Sequence, residues 1–280
     1  MRKVLCLLCL FILGFSLAAC GGEDEQTSSN EQEVAREQQF IVGLECAYQP
    51  FNWTENQKTE TNYPISNLKG KYAEGYDVQI AKKIADSLGK TLVIQAIDWD
   101  ALIPALKSNK IDAIIAGMSD TPLRRESVNF TNAYYTSEEV CIVLKDGQYA
   151  NATSINDFAG ARAIGQKGTL YAELVNQLTG ADVKTPLDSV PAIITAMVNG
   201  RCDVTVVEKP VALGLIAANS KLKMIEFEGT NGFEVTPEQV AVCIALRKGE
   251  DQLLNDINDI LATISIEERE QLMATAVSKN

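Results

Sequence analysis

Residues 101–119 read ALIPALKSNKIDAIIAGMS and residues 192–210 read AIITAMVNGRCDVTVVEKP, the same pattern at an offset of 91 positions (203 minus 112). Under that offset Leu102 matches Ile193, Ile103 matches Ile194, Leu106 matches Met197 and Asp112 matches Asp203. Each copy is an amphipathic helical stretch, a short polar turn and then an apolar strand. Immediately after each strand the chain turns polar, at Gly117-Met118-Ser119 in one copy and Glu208-Lys209 in the other. In open α/β sheets ligands sit outside the carboxyl ends of strands. The two copies therefore predict two half-sites facing each other across one cleft.

The amino terminus predicts export. Met1-Arg2-Lys3 is a basic start, and residues 4–17 are almost wholly apolar. That run is short for a membrane-spanning helix, which needs roughly 20 residues, and it fits a secretory signal peptide over residues 1–19. The sequence Leu17-Ala18-Ala19-Cys20-Gly21 resembles the lipobox of bacterial lipoproteins. The resemblance implies cleavage before Cys20 and lipidation of its thiol. The mature chain would then be anchored to the membrane on its extracytoplasmic face without spanning it. Residues 20–39 are mostly Gly, Glu, Gln, Ser and Asn with little to bury, which reads as a disordered tether.

About 240 residues remain, enough for two lobes of ordinary size. Without Arg2 and Lys3 the chain has 23 basic and 37 acidic residues, a formal net charge of −14. That balance argues against nucleic acid and anionic lipid surfaces as partners. Histidine is absent, so serine–histidine and cysteine–histidine catalysis and most zinc chemistry are excluded. No metal or cofactor site is expected. Cys46, Cys141, Cys202 and Cys243 lack CxxC spacing; an exported location permits a disulfide, while the apolar settings favour buried thiols.

The remaining chain alternates strands with helices, the pattern of parallel α/β sheets. Strands are expected at residues 40–44, 92–97, 111–116, 140–144, 161–165, near Val183, at 224–227 and at 239–246. Asp77 and Asp100 are expected to cap helices, Pro122 to start a short helical turn, and a further helix to span 170–178. Ser265 and Glu268 form a capping box before the terminal helix. Residues 56–75 are a polar insertion without a clear pattern.

Three groups suit a zwitterion. Arg124, just beyond the first repeat strand, can grip a carboxylate with two parallel hydrogen bonds, although a solvated arginine beside Arg125 and Glu126 is an equally simple reading. Gly168-Thr169 opens a helix whose free N–H groups suit an anion, or it is a plain turn with Thr169 as cap. Glu208 can receive an ammonium group, or it is an acid favoured at a helix start. Tyr48 and Trp99 are either core aromatics or cleft walls, and Glu45 either an exposed strand-end acid or a partner for a distant polar group.

At this point the chain resembles the polar amino-acid-binding proteins of bacterial ABC importers, the solute-binding proteins of family 3. The segments GYDVQIAKKIADSLGK at 75–90, DWDALIPALKSNKIDAIIAGMSDTPLRR at 98–125 and FTNAYYTSEEV at 130–140 carry the resemblance. It implies an α/β, two-lobed periplasmic-binding-protein-like fold of type II, each lobe a mostly parallel sheet flanked by helices. Lobe 1 would be residues 40–138 plus 238–280 and lobe 2 residues 139–237, with crossing strands near Val140 and Val240 as the hinge. It further implies that the segment Gly117-Met118-Ser119, Arg124 and Gly168-Thr169 bind an α-carboxylate, that Glu208 binds the α-amino group, and that Tyr48 and Trp99 flank the ligand side chain. The family usually has aspartate at Glu208 and often at Glu45. Expected partners are a polar L-amino acid, with arginine or lysine ahead of glutamine, and the permease of an ABC importer; the protein is expected to be a monomer. A competing class is an exported dehydratase on the same scaffold, with Glu208 or Glu45 as acid or base; a third is an adhesin with a degenerate site.

Overall fold

The computed structural model describes residues 36–279. The signal segment, Cys20 and most of the expected tether lie outside the described residues. Two five-stranded sheets carry the fold, and they are built to one plan. The first runs in the order β6 (Thr91–Ala96), β1 (Gln39–Leu44), β7 (Ala113–Ile114), β14 (Ala241–Arg247), β8 (Val128–Thr136). The second runs β11 (Asp182–Val183), β10 (Arg162–Ala163), β12 (Val204–Glu208), β9 (Glu139–Leu144), β13 (Leu222–Ile225). In each sheet the first three strands are parallel and the fourth is antiparallel to both its neighbours.

Those fourth strands are the ones that cross between the sheets. β9 follows β8 directly into the second sheet, and β14 returns at the end of the chain to the first. The crossing segments touch, with Ser137 N donating to Val240 O at 3.3 Å. The molecule is therefore two-lobed, with each lobe's sheet completed by a strand that arrives from the other.

The repeated unit occupies the third position of both sheets. Its helices are Trp99–Lys107 and Val190–Val198, and both end in the same turn. Asn109 has φ 60° and its counterpart Gly200 has φ 68°, the left-handed conformation that closes a helix. The matched aspartates also do one job twice. Asp112 accepts from Ile41 N at 2.9 Å and Asp203 from Arg162 N at 2.9 Å. Each thereby satisfies a backbone donor of the adjacent strand.

Several local expectations are corrected. Asp77 does not cap its helix, Tyr76–Ser87; Gly75 does, at φ 128°. A side chain at 75 would lie 2.3 Å from Phe51 O, so only glycine fits, and Asp77 falls inside the first turn, fully buried. Asp98 rather than Asp100 stands at the start of helix Trp99–Lys107. Asp100 instead pairs with Lys167 at 2.5 Å. The run 111–116 is buried except at the half-buried Asp112, but its ladder covers only Ala113–Ile114. The helix expected over 170–178 stops at Leu174 and continues as a tighter turn, Val175–Gln177. Asn176 turns its amide back onto the carbonyls of Ala172 and Glu173, which competes with regular helix bonding. The turn at Pro122–Arg125 forms as expected, capped by Thr121; of the expected capping box only the Ser265 half forms, and the Glu268 carboxylate pairs with Lys83 instead.

The polar insertion supplies β5 (Tyr72–Glu74) and β4 (Tyr63–Pro64), which join β2 (Ala47–Tyr48) and β3 (Asn52–Glu55) in a small antiparallel sheet. Ile65 bridges Ile94, Ser66 N donates to Ile94 O, and Asn67 pairs both ways with Ala96. The insertion thus covers the outer edge of β6, a position where an open strand invites pairing with other chains.

Removing the Asp112 carboxylate leaves the buried Ile41 N–H without this acceptor. We expect Asp112→Ala to cost about 1–3 kcal/mol, measured by urea unfolding, with Asp203→Ala acting in the same direction. Equal stability of Asp112→Ala and the parent protein would remove the structural role assigned to the repeat.

Candidate functional site

The carboxyl ends of the parallel strands converge where the two lobes meet. From the first lobe come Glu45 just after β1, Trp99 after β6, Gly117 to Ser119 after β7, and Arg124 on its short helix. From the second come residues 166–171, which follow β10. One narrow cleft is lined by Glu45, Tyr48, Trp99, Gly117, Ser119, Arg124 and Thr169, together with Gln166, Leu170 and Tyr171. Met118 and Gly168 line the adjoining space, shared with Trp99, Arg124 and Thr169.

Arg124 is held from three sides. Its Nη1 donates to Ser119 O at 2.7 Å and its Nη2 to Gly168 O at 3.1 Å. The guanidinium carbon lies 5.1 Å from the centroid of the Trp99 ring, a cation–π contact. Burial pushes its pKa down to about 10, so it stays charged at neutral pH. Two of its five N–H groups are engaged by these carbonyls, and the others remain for a ligand. Trp99 Nε1 also donates to Gly168 O, at 3.0 Å. Gly168 has φ 69°, and a side chain there would lie 2.7 Å from Asp100. The positive φ is what favours glycine, because the Asp100 carboxylate can shift aside.

Glu45 meets the second lobe through Gln166, whose Nε2 lies 3.2 Å from both carboxylate oxygens. Burial raises its pKa to about 7 despite this bond, with Asp98 and Asp100 adding to the rise. Tyr48 is 5 % exposed and stacks on Phe51 at 5.6 Å. Its hydroxyl is buried with no hydrogen-bond partner. Thr169 stands before helix Leu170–Leu174, but its hydroxyl donates to Gln166 O at 2.7 Å and does not cap the helix.

Glu208 sits apart from these groups. It ends β12, is 2 % exposed, and neither carboxylate oxygen has a partner. It lines neither of the two spaces just described. Burial raises its pKa to about 8. The four cysteines are buried free thiols, and burial raises the pKa of each, which makes them unreactive.

Sequence reasoning missed Gln166 and Tyr171. Gln166 was open to the same strand-end rule that selects residues 117–119, because it follows the strand read over 161–165. Tyr171 gave no such signal, being one aromatic residue in a helical pattern.

The buried carboxyls set a pH dependence. A raised native pKa contributes stability below the ordinary value of about 4.5 that is lost as pH rises through the native value. Glu45 and Glu139 reach about 7, Glu208 about 8 and Asp77 about 6. We expect the melting temperature to fall between pH 5 and pH 8, and Glu208→Gln to lessen that fall. A Gln variant that loses as much as the parent protein would place the titration elsewhere.

Comparison with known proteins agrees with this architecture. Residues 40–275 match the model of the bacterial extracellular solute-binding proteins, family 3. The probable histidine-binding protein of Campylobacter jejuni is 30% identical over 262 residues, covering 91% of this chain and 95% of that protein. The arginine-binding extracellular protein ArtP of Bacillus subtilis is 28% identical over 266 residues, covering 93% and 92%. An amino acid ABC transporter substrate-binding protein of Streptococcus pneumoniae, solved bound to L-arginine, superposes with a TM-score of 0.75 over 88% of this chain and 97% of that one. At 24% identity, that likeness speaks to the fold alone. The chain belongs to the bacterial extracellular solute-binding proteins of family 3, and it is a binding protein, not an enzyme.

Proposed function

We propose that this protein captures a polar L-amino acid between its two lobes, arginine or lysine ahead of glutamine, and delivers it to the permease of an ABC importer. One observation carries the reading: a guanidinium, a carboxylate and two aromatic side chains, Arg124, Glu45, Tyr48 and Trp99, line a single interlobe cavity. Arg124 holds the ligand carboxylate, and Gly117, Met118, Ser119, Gly168 and Thr169 line the space around it. Glu208, which lines neither space in this closed arrangement, takes the ammonium group once the lobes part far enough for the ligand to reach it. An isolated buried carboxylate is costly, and an arriving cation would supply the partner that it lacks.

Ligand identity turns on Glu45. Its two oxygens meet one amide donor, so they retain acceptor sites for the paired N–H groups of a guanidinium. Its pKa near 7 adds a second argument. A cationic side chain stabilises the ionised form and expels the proton, whereas the neutral amide of glutamine gains far less. The names of the relatives, arginine-binding and histidine-binding among them, support the amino-acid class.

Lobe 1 comprises residues 40–138 plus 238–280 and lobe 2 residues 139–237, hinged where the crossing segments run side by side. Ligand contacts in both lobes favour the closed arrangement. The protein acts as a monomer, held on the extracytoplasmic face of the cell membrane by a lipid on Cys20.

Calorimetry against the twenty amino acids tests the reading. We expect Arg124→Ala to weaken every ligand by some 30-fold or more, the equivalent of the roughly 2–5 kcal/mol lost with a buried charged partner. Glu45→Gln should weaken arginine more than about tenfold and glutamine less. Tight binding of glutamine with none of arginine or lysine would overturn the cationic assignment; near-normal affinity in Arg124→Ala would move the site. For the anchor, Cys20→Ser is expected to shift the protein from the detergent phase to the soluble fraction, and unchanged partitioning would exclude lipidation at that residue.

A further inference from the structure

Beneath the cavity lies a buried polar chain that the ligand contacts do not use. Asp77, Asn52 and Tyr134 are each 0 % exposed. Asp77 Oδ2 accepts from Asn52 Nδ2 at 2.8 Å, and Asp77 Oδ1 accepts from the Tyr134 hydroxyl at 2.6 Å. Both arms continue to backbone amides. Asn52 Oδ1 accepts from Cys46 N at 2.7 Å, and the Tyr134 oxygen accepts from Gly117 N at 3.1 Å.

The two amides reached are unusual ones. Cys46 has φ 57° and Gly117 has φ 61°, so both occupy the left-handed region, which is costly for a side chain such as that of Cys46. Cys46 lies between Glu45 and the strand that carries Tyr48. Gly117 opens the segment that leads to Ser119 and packs against Tyr48, whose Cε1 would be 3.1 Å from a side chain placed there. One carboxylate thus reaches both strand-end turns of the first-lobe half-site.

We propose that Asp77 is the positioning residue of the binding site. Through Asn52 it fixes the turn at Cys46 that aims Glu45 and Tyr48, and through Tyr134 it fixes the turn at Gly117. Its influence on affinity rests on the ligand site proposed above; its hold on the two backbone turns does not.

The chain has a polarity that can be tested. Cys46 N–H can only donate, so Asn52 must present its oxygen to Cys46 and its NH₂ to position 77. Position 77 must then accept on both sides, which a carboxylate does and an amide does not. In Asp77→Asn, whichever way the new amide turns, a donor faces a donor or the Tyr134 hydroxyl loses its acceptor. Adding Asn52→Asp removes the conflict. The carboxylate then stands at position 52, accepting from Cys46 N–H and from the amide at 77, whose oxygen accepts from Tyr134.

The test compares the parent protein, Asp77→Asn, and the double variant Asn52→Asp/Asp77→Asn. Amide hydrogen exchange at Cys46 and Gly117 is followed by NMR, and L-arginine binding by calorimetry. We expect the single variant to speed exchange at one or both amides about tenfold and to weaken L-arginine about tenfold, as fits one lost buried hydrogen bond. The double variant should return both readouts to within about threefold of the parent protein, a gap of under 1 kcal/mol. Parent-like exchange and affinity in the single variant would overturn the inference, and so would a double variant as impaired as the single. If the single variant fails to fold, the double variant decides alone: folded and protected at both amides supports the inference, unfolded overturns it. If the parent protein binds no amino acid, the ligand reading fails, while the exchange data still judge the positioning role.

Discussion

A guanidinium enclosed between two lobes must be satisfied by both of them, and that requirement organises much of this molecule. Arg124 leaves water for a site where its partners are a carbonyl of its own lobe, a carbonyl of the other and an indole face. Burying a charge without such partners is prohibitive. The carbonyl of Gly168 is offered by a left-handed turn that favours glycine, and Trp99 binds the same oxygen. Closure of the lobes and solvation of Arg124 are therefore one event. In the proposed complex, a ligand carboxylate meets the remaining N–H groups of this cation.

The swapped fourth strands explain how two lobes can meet so accurately and still move. Each sheet is finished by a strand from the other side of the crossing, so neither lobe completes its sheet without passing the chain across the hinge. The crossing segments are short and lie against each other, which suits the proposed hinge. Bending about that line would bring the carboxyl ends of β1 and β7 and of β10 toward one another. Asp77 holds the first of these half-sites in shape from below. The second depends on the turn at residues 166–169, where Thr169 binds the carbonyl of Gln166.

Much of this was legible in the residues, though not always for the reason first given. The 91-residue repeat does mark the third strand of each sheet, but its most visible match, Asp112 with Asp203, serves backbone donors at the strand starts, far along the strands from the cleft. The functional information sat in the unmatched residues after each strand. Arg124, Trp99 and Gly168 came from position and residue type, and the structure brings them together. Gln166 was readable by the same rule and was passed over. Contacts across the cleft, such as Gln166 with Glu45 and Lys167 with Asp100, depend on how two lobes close, and no local pattern encodes that. Asp77 was misread because an aspartate at a helix start usually caps. Here the close passage of Phe51 O forces glycine into the cap and drives the carboxylate inward.

The remaining tension lies in the carboxyls. An acidic protein that buries Glu45, Glu139, Glu208 and Asp77 spends stability on groups that would sooner be neutral, and their pKa values climb accordingly. Asp77 is compensated by hydrogen bonds from Asn52 and Tyr134, and its value rises only to about 6. Glu208 has no partner, and its value climbs most. That ordering separates a group finished within the fold from one left open. A carboxylate completed by the protein has no need of a ligand, whereas one left bare in the interior is stabilised by whatever cation reaches it. In the ligand-free protein that cation is a proton. In the proposed complex it is the ammonium group of an amino acid, and the two compete for the same oxygens.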